Sequence, residues 1–472
     1  MKSRSIERAV PCLPTLMRKQ RSIPQGVLRH IKWRTKPKDW FISNLLSSIT
    51  GLQGREKGKE AMKTDAPFTH ALIIATVSIM CSGVVLGQDV TNAQISNHNT
   101  SSELDKFFSN IITAQQYVGL GACLLKNDTV VWDGYYGYSN LGEKTPLNRD
   151  NIFPLMSLSK TVTAFALMML YEKDLFGLDD DVSKYIPIKE RNPNFPAVPI
   201  TFRMLLNHTA GFTDVTRTGL KIPKNVSLPP SAIGDSEIPL EEFIREILTP
   251  GGKYYSTEYF GPNEPGTQYS YSNIGYSLIG YLVERIARQD FSQYCQLHIF
   301  YPLGMKNTAW HLRDLDTERV VFGYSFSPND SVPNYRKVEH FGEPGYPSGM
   351  LRTTMHDFAN FIRVIMDNGR YGDNQLVKPQ TIDLMLRPQN IKNIPSRSFK
   401  IIDRSLGWLI NEVEGAELYS MNGFGPSMFT NAYFSKPDRT AIIYYFTGIN
   451  MKNMAGMQEI TKRLYHALKL IQ

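Results

Sequence analysis

Strand-forming runs stand near the two ends of the globular part of this chain, with a long helical and loop-rich stretch between them. Gly119–Leu125 and Thr129–Tyr136 are apolar, aromatic-rich runs joined by Asn127-Asp128, a hairpin signal. Strand character returns at Gly407–Ile410, Leu418–Met421, Asn431–Phe434 and Thr440–Phe446. From about Gly177 to Ile299 the chain reads as helix and loop, with Pro and Gly breaks around 223–230 and 250–266. Helical periodicity also marks Glu103 to about Gln115, Phe153–Leu175 and Met454–Ile471. In the last of these, Met457, Ile460, Leu464 and Leu468 share one side. Strands and helices at both ends of a helical middle predict a mixed α/β class: one sheet-based domain with a helical subdomain inserted in it.

Charge and composition bound the partners. The chain has 472 residues, 42% of them hydrophobic and 11% aromatic, ample for a large core. Residues 1–61 hold 14 Lys or Arg against 4 Asp or Glu, a balance of +10; the whole chain carries +8, which leaves −2 for the rest. A nearly neutral globular part gives no reason to expect a nucleic-acid partner. The expected organisation is a basic extension over 1–61, in keeping with a start called too early, then an export signal or membrane anchor over 62–87. A polar linker over 88–102 and a globular domain over 103–472 follow. Met62-Lys63, the apolar run Ala71–Leu86 and Val85-Leu86-Gly87 before Gln88 have the layout of a secretory signal. The same run, with a basic segment behind it, also fits an uncleaved anchor. The expected location is therefore exported, periplasmic or secreted, with a membrane-anchored form facing outside as the alternative. Only Cys123 and Cys295 lie beyond this region, and spacing leaves their pairing open. Five N-x-S/T sites, at Asn99, Asn127, Asn207, Asn225 and Asn329, carry little weight in a chain this long.

Three motifs carry chemistry. Ser157-Leu158-Ser159-Lys160 puts a hydroxyl and an amine on one face at a helix start, where a neutral lysine can take the hydroxyl proton. A bare S-x-x-K arises about once or twice by chance in a chain of this length; its setting, behind Phe153-Pro154-Leu155 and ahead of a long apolar helix, is what singles it out. Tyr271-Ser272-Asn273 offers a phenol for proton relay and an amide for holding a carbonyl. A second Tyr-Ser-Asn at Tyr138–Asn140 reads as a surface turn. His208 reads as part of a structural turn rather than a general base, and Asp179-Asp180-Asp181 as a solvated, capping turn rather than a metal cluster. No H-E-x-x-H or G-x-S-x-G pattern is present in the sequence.

Taken in order, these residues resemble the superfamily of serine β-lactamases, DD-peptidases and family VIII esterases, especially its class C-like branch. Leu205-Leu206-Asn207-His208-Thr209-Ala210-Gly211-Phe212 resembles its L-L-x-H-T-S-G-L block. Pro302-Leu303-Gly304-Met305 with Thr308 resembles its P-L-G-M-x-x-T block. Ser348-Gly349-Met350-Leu351 with Thr353, Thr354 and Asp357 resembles its G-G-L-x-S-T-x-x-D block, and Leu406-Gly407-Trp408 its G-x-G-W strand. The likeness spans roughly 103–470. It implies an antiparallel sheet with the terminal helices on one side, the helical subdomain on the other and the site in the cleft between. It further implies Ser157 as acylated nucleophile, Lys160 as its base or proton partner, Tyr271 as proton relay and Asn273 as substrate contact. The oxyanion hole would be built from the backbone N–H groups of Ser157 and Phe424, the residue after the motif glycine Gly423. No metal or cofactor is implied; the expected partner is a small-molecule or peptide substrate.

The third family motif, K-T-G or H-x-G, is where the chain departs. Its counterpart is Ser420-Met421-Asn422-Gly423-Phe424-Gly425-Pro426, which places Met421, or Asn422 on a shift by one, where the family has a cation. The departure favours uncharged esters over carboxylate-bearing substrates, unless another basic residue such as Arg352 or Lys400 supplies the charge. It is also the one feature in favour of a non-catalytic ligand-binding protein.

Overall fold

The computed structural model describes residues 97–471 apart from 115–116, 189–190, 214–231, 327–333, 397–398, 426 and 449–453. The chain divides into a unit ending at Val90 and a unit from Thr91 to Gln472, and the described residues all belong to the second. The basic extension, the Ala71–Leu86 run, the Gln88 cut, Asn225 and Asn329 lie outside them. Among the described residues no helix is long and apolar enough to cross a membrane.

The architecture is mixed α/β, built on one eight-stranded sheet. Its strands are β1 Gly119–Lys126, β2 Thr129–Asn140, β3 Thr145–Pro146, β4 Lys400–Arg404, β5 Leu409–Val413, β6 Ala416–Gly425, β7 Met428–Ser435 and β8 Thr440–Thr447. They run across the sheet as β4-β5-β6-β7-β8-β1-β2-β3, every pairing antiparallel. The first and last strands in chain order thus meet mid-sheet, with Gly119 opposite Thr447 and Lys126 opposite Thr440. The β1–β2 hairpin turns on Asn127 and Asp128 at φ 49° and 65°, the left-handed pair that matches a two-residue turn to strand twist.

Alternation along each strand sorts the core into two layers. Leu120, Ala122 and Leu124 of β1 and Ile442, Tyr444 and Phe446 of β8 face the terminal helices α1 (Asn97–Thr113) and α7 (Met454–Leu470), meeting Phe108, Ile460 and Leu464. Cys123, Leu125, Ile443 and Tyr445 face the other way, into the larger core that contains α2 (Lys160–Tyr171). That core also takes in α3 (Leu240–Leu248), α4 (Asn273–Ala287), α5 (Met355–Met366) and α6 (Pro379–Leu386). With both faces covered, β1, β7 and β8 are buried nearly throughout. Both described cysteines are buried free thiols, and burial pushes each thiol well above its usual range.

Several boundaries differ from the sequence reading. The helix expected over Phe153–Leu175 is broken at its start. Phe153 and Pro154 pair with Thr353 and Arg352 as a two-residue strand, Met156 takes φ 51°, a 3-10 turn covers Met156–Ser159, and α2 begins at Lys160. Proline and a left-handed residue cannot continue an α-helix. Helix α1 starts at Asn97, so the predicted linker 88–102 is helical from that point. Leu104 and Phe108 bury its inner face against the sheet, contacts that a polar sequence start does not announce. Tyr138–Asn140 is the end of β2, with Ser139 buried, rather than a surface turn. Strand β4 and helix α5 were not anticipated. The Thr353-Thr354-Asp357 block proves to be the cap of α5. Thr354 Oγ1 accepts from Asp357 N, while the Asp357 carboxylate accepts from Asn307 N and Thr308 Oγ1. One carboxylate thereby ties the Thr308 block to the Ser348 block.

Candidate active site

The Ser157 turn is strained and held from three sides. A left-handed non-glycine residue such as Met156 costs of order 1 kcal/mol and persists only where its surroundings fix it. Leu155 N donates to Leu351 O, and Thr430 Oγ1 of β7 donates to Leu155 O at 2.6 Å. The Phe153 ring stacks on Tyr445 of β8 with centroids 4.1 Å apart. The turn therefore projects Ser157 from the junction of sheet and helical layer.

Around Ser157 the geometry closes tightly. Lys160 Nζ lies 3.2 Å from Ser157 Oγ, and Tyr271 Oη donates to the same Oγ at 2.7 Å. Lys160 Nζ also donates to Asn273 Oδ1 at 2.6 Å and to the Ser348 carbonyl at 2.5 Å. A neutral amine has two N–H groups and one lone pair. Nζ thus stands within hydrogen-bond reach of Ser157 Oγ, the geometry a neutral amine needs to accept the hydroxyl proton. Lys160 has no solvent exposure and Ser157 only 6%. The structure thus brings Ser157, Lys160, Tyr271 and Asn273 together, although the last two lie more than a hundred residues along the chain from the first two.

Tyr271 owes its position to the His208 turn. His208 sits at φ 60°, its carbonyl accepts from Ser270 N at 2.7 Å, and its Nδ1 accepts from Ser272 N at 3.1 Å. An accepting Nδ1 carries no proton, so the ring is neutral. That ring packs between Tyr271 and Tyr276, with centroids 4.5 and 4.9 Å away. The side chain of Ser272 then caps α4 by accepting from Gly275 N, which sets Asn273 at the first position of the helix. His208 is thus a structural turn residue, as its block implied.

Strand β6 forms the other wall. Its pairing with β5 ends at Leu409 opposite Ser420, while its pairing with β7 runs on to Gly425 opposite Met428. Met421 and Gly423 share the face turned to the nucleophile layer; Asn422, exposed, and Phe424, packed on the terminal-helix core, face the other way. Of the two candidates for the cation position, Met421, 1% exposed, is the one on the Ser157 side of the sheet. A Cβ on Gly423 would come 2.0 Å from Leu155 O, so glycine is what lets β6 touch the nucleophile turn. Neither proposed substitute supplies the charge directly. Arg352 is buried and donates to the carbonyls of Trp310, Met350 and Phe341, and Lys400 is paired with Glu412 at the sheet edge.

The Asp179-Asp180-Asp181 run is structural. Asp179 pairs with Arg203, Asp180 accepts from Gly177 N and Tyr185 Oη, and Asp181 caps the following turn and pairs with Arg191. Asn207 is buried and accepts from Thr209, so it does not present a glycosylation site in the folded chain. Sequence reasoning missed the Ser348 carbonyl, which as a backbone group leaves no side-chain signature. It also missed Tyr276, whose only signal is a position one helical turn past Asn273.

The fold has the topology of β-lactamase-like proteins, with Lys160 and Tyr271 converging on the Ser157 hydroxyl. The Beta-lactamase family model matches residues 104–459, and the chain belongs to that family. It is 26% identical over 359 residues to penicillin-binding protein 4* of Bacillus subtilis, covering 73% of this chain and 71% of that one. Among solved structures it is similar to D-amino acid amidase from Ochrobactrum anthropi SV3, with TM-score 0.62, 21% identity and coverage of 78% and 98%. It is likewise similar to EstCE1, a hydrolase with promiscuous acyltransferase activity, with TM-score 0.60, 17% identity and coverage of 80% and 100%.

Proposed function

We propose that this protein is a serine hydrolase that works through a covalent acyl-enzyme on Ser157, with small uncharged esters or capped amides as substrates. The observation that carries the reading is the convergence of Lys160 Nζ and Tyr271 Oη on Ser157 Oγ, at 3.2 and 2.7 Å. Lys160 takes the hydroxyl proton as Oγ bonds to the substrate carbonyl carbon. The negative charge that builds on the carbonyl oxygen meets the N–H groups of Ser157 and Phe424. Tyr271 hands a proton to the departing alkoxide or amine and is reprotonated from Lys160; water then attacks the acyl carbon with the same groups in reverse order. Asn273 holds Lys160 and lies where it can meet the substrate's amide or ester. The apolar Met421 in the cation position supports uncharged substrates over those with a free carboxylate.

The test is intact-mass analysis and peptide mapping after exposure to a fluorophosphonate probe. A single adduct on Ser157, abolished in Ser157→Ala, is expected. Ser159 and Ser427 are buried, and Ser159 Oγ accepts from Leu351 N, so an adduct on either would overturn the assignment. No adduct and no ester turnover would favour a ligand-binding role for the cleft.

A further inference from the structure

Arg404, at the end of β4, has no solvent exposure. Its Nε and Nη2 have no hydrogen-bond partner among the described residues. The neighbouring Asp403 turns its carboxylate to the backbone N–H groups of Asn390, Ile391 and Arg404 itself. A buried guanidinium held this way is costly. Apolar side chains of similar volume commonly leave a fold equally or more stable in place of buried charge. The charge lies directly behind the catalytic cluster. The guanidinium carbon is 5.9 Å from the Tyr269 ring, and Arg404 opposes the burial that pushes the Tyr276 phenol up to about 12. On the same Tyr276 ring Lys160 Nζ sits 5.7 Å from the centroid.

We propose that Arg404 is a positioning residue for the reaction: its buried charge, held behind Tyr276, disfavours a second positive charge on Lys160 and so favours the neutral amine that accepts the Ser157 proton. This rests on the serine-hydrolase reading of the site. Lys160 faces Ser157 from its own turn, Tyr271 from the loop before α4, Asn273 and Tyr276 from α4 and the Ser348 carbonyl. His208, packed on both tyrosines, is neutral and adds no charge. Arg404 faces Tyr269 and Tyr276, and the carboxylate beside it in the chain, that of Asp403, is directed at the N–H groups of Asn390, Ile391 and Arg404. The cation that Met421 does not provide from β6 is thus supplied from β4, out of reach of substrate: the charge acts on the base and not on a carboxylate. By Coulomb's law at an effective dielectric constant near 20, one unit charge acting across an aromatic ring shifts a neighbouring group's pKa by about one unit.

The experiment compares wild type, Arg404→Met and Arg404→Lys in two measurements. One is the pH profile of the fluorophosphonate labelling rate at Ser157. The other is the titration of the 13Cε resonance of Lys160, assigned by its loss in Lys160→Arg. In Arg404→Met both the acid limb and the Lys160 midpoint should move up by about one pH unit. Labelling should fall about tenfold below the limb and recover above it, and Arg404→Lys should restore the wild-type profile. Near-UV circular dichroism checks that the variants are folded, and Arg404→Gln replaces the methionine variant if that one is not. An unmoved Lys160 midpoint in a folded neutral variant overturns the proposal, as does a pH-independent drop in labelling that lysine does not rescue. If Ser157 is labelled in no form, the hydrolase reading falls, while the Lys160 titration still decides whether Arg404 acts on it.

Discussion

Gly423→Ala probes the contact between β6 and the nucleophile turn. The new methyl would lie 2.0 Å from Leu155 O, 2.4 Å from Thr430 Oγ1 and 2.9 Å from Met156 Cβ. The first of these is backbone, and Thr430 Oγ1 is already engaged with it. Restoring ordinary contact with Leu155 O needs a separation larger by about 1.5 Å between strand and turn. Overpacking of this kind costs about 1–3 kcal/mol of stability, and a 1 Å displacement of a reacting group costs about a hundredfold in rate. The expected result is a folded protein with a modestly lower Tm and a labelling rate at Ser157 down about a hundredfold. Gly425→Ala is the control. The atoms its methyl would meet first are Met156 Sδ, Cε and Cγ, at 3.0, 3.2 and 3.5 Å. Those atoms end a flexible side chain, so labelling should stay within about tenfold of wild type. Equal effects from the two substitutions, or an unchanged rate in Gly423→Ala, would refute the claim that β6 positions the nucleophile.

Met421→His should raise kcat/KM about tenfold for a carboxylate-bearing chromogenic cephalosporin, and do so at pH 6 rather than pH 8, since only the protonated ring supplies the charge-assisted bond; a neutral nitrophenyl ester should be nearly unaffected. Efficient wild-type cephalosporin turnover, or equal gains on both substrates, would sink the reading of Met421. Away from the site, burial pushes the Glu284 carboxyl from 4.5 up to about 7. The folded state then keeps a proton that the unfolded chain releases between pH 4.5 and 7, so stability falls as pH rises through that window and levels off above it. Glu284→Gln keeps the acceptor for Phe291 N and removes the charge. It should stabilise by about 3 kcal/mol at pH 8 and hardly at all at pH 4.5, and thermal melts showing equal shifts at both pH values would count against it.

The sequence by itself determined the class of fold and singled out four residues that the fold brings together. Strands at both ends of a helical middle leave few options other than one sheet closed mid-way by its two ends, because alternating apolar runs must pair to bury their backbone groups. Ser157, Lys160, Tyr271 and Asn273 were legible because each needs a particular functional group inside a local motif. What the sequence did not determine is whatever depends on contacts between distant segments. The break between Pro154 and Lys160 is decided by Leu351, Thr430 and Gly423, which hold Met156 in a conformation its own propensity disfavours. Only the side chains' alternation across a built sheet shows that Met421, and not Asn422, faces the nucleophile. Arg404, one of 52 basic residues in the chain, has no local motif at all. Its buried place behind Tyr276 exists only once β4 is laid against α4, because burial and electric field are properties of the assembled core and not of neighbours along the chain.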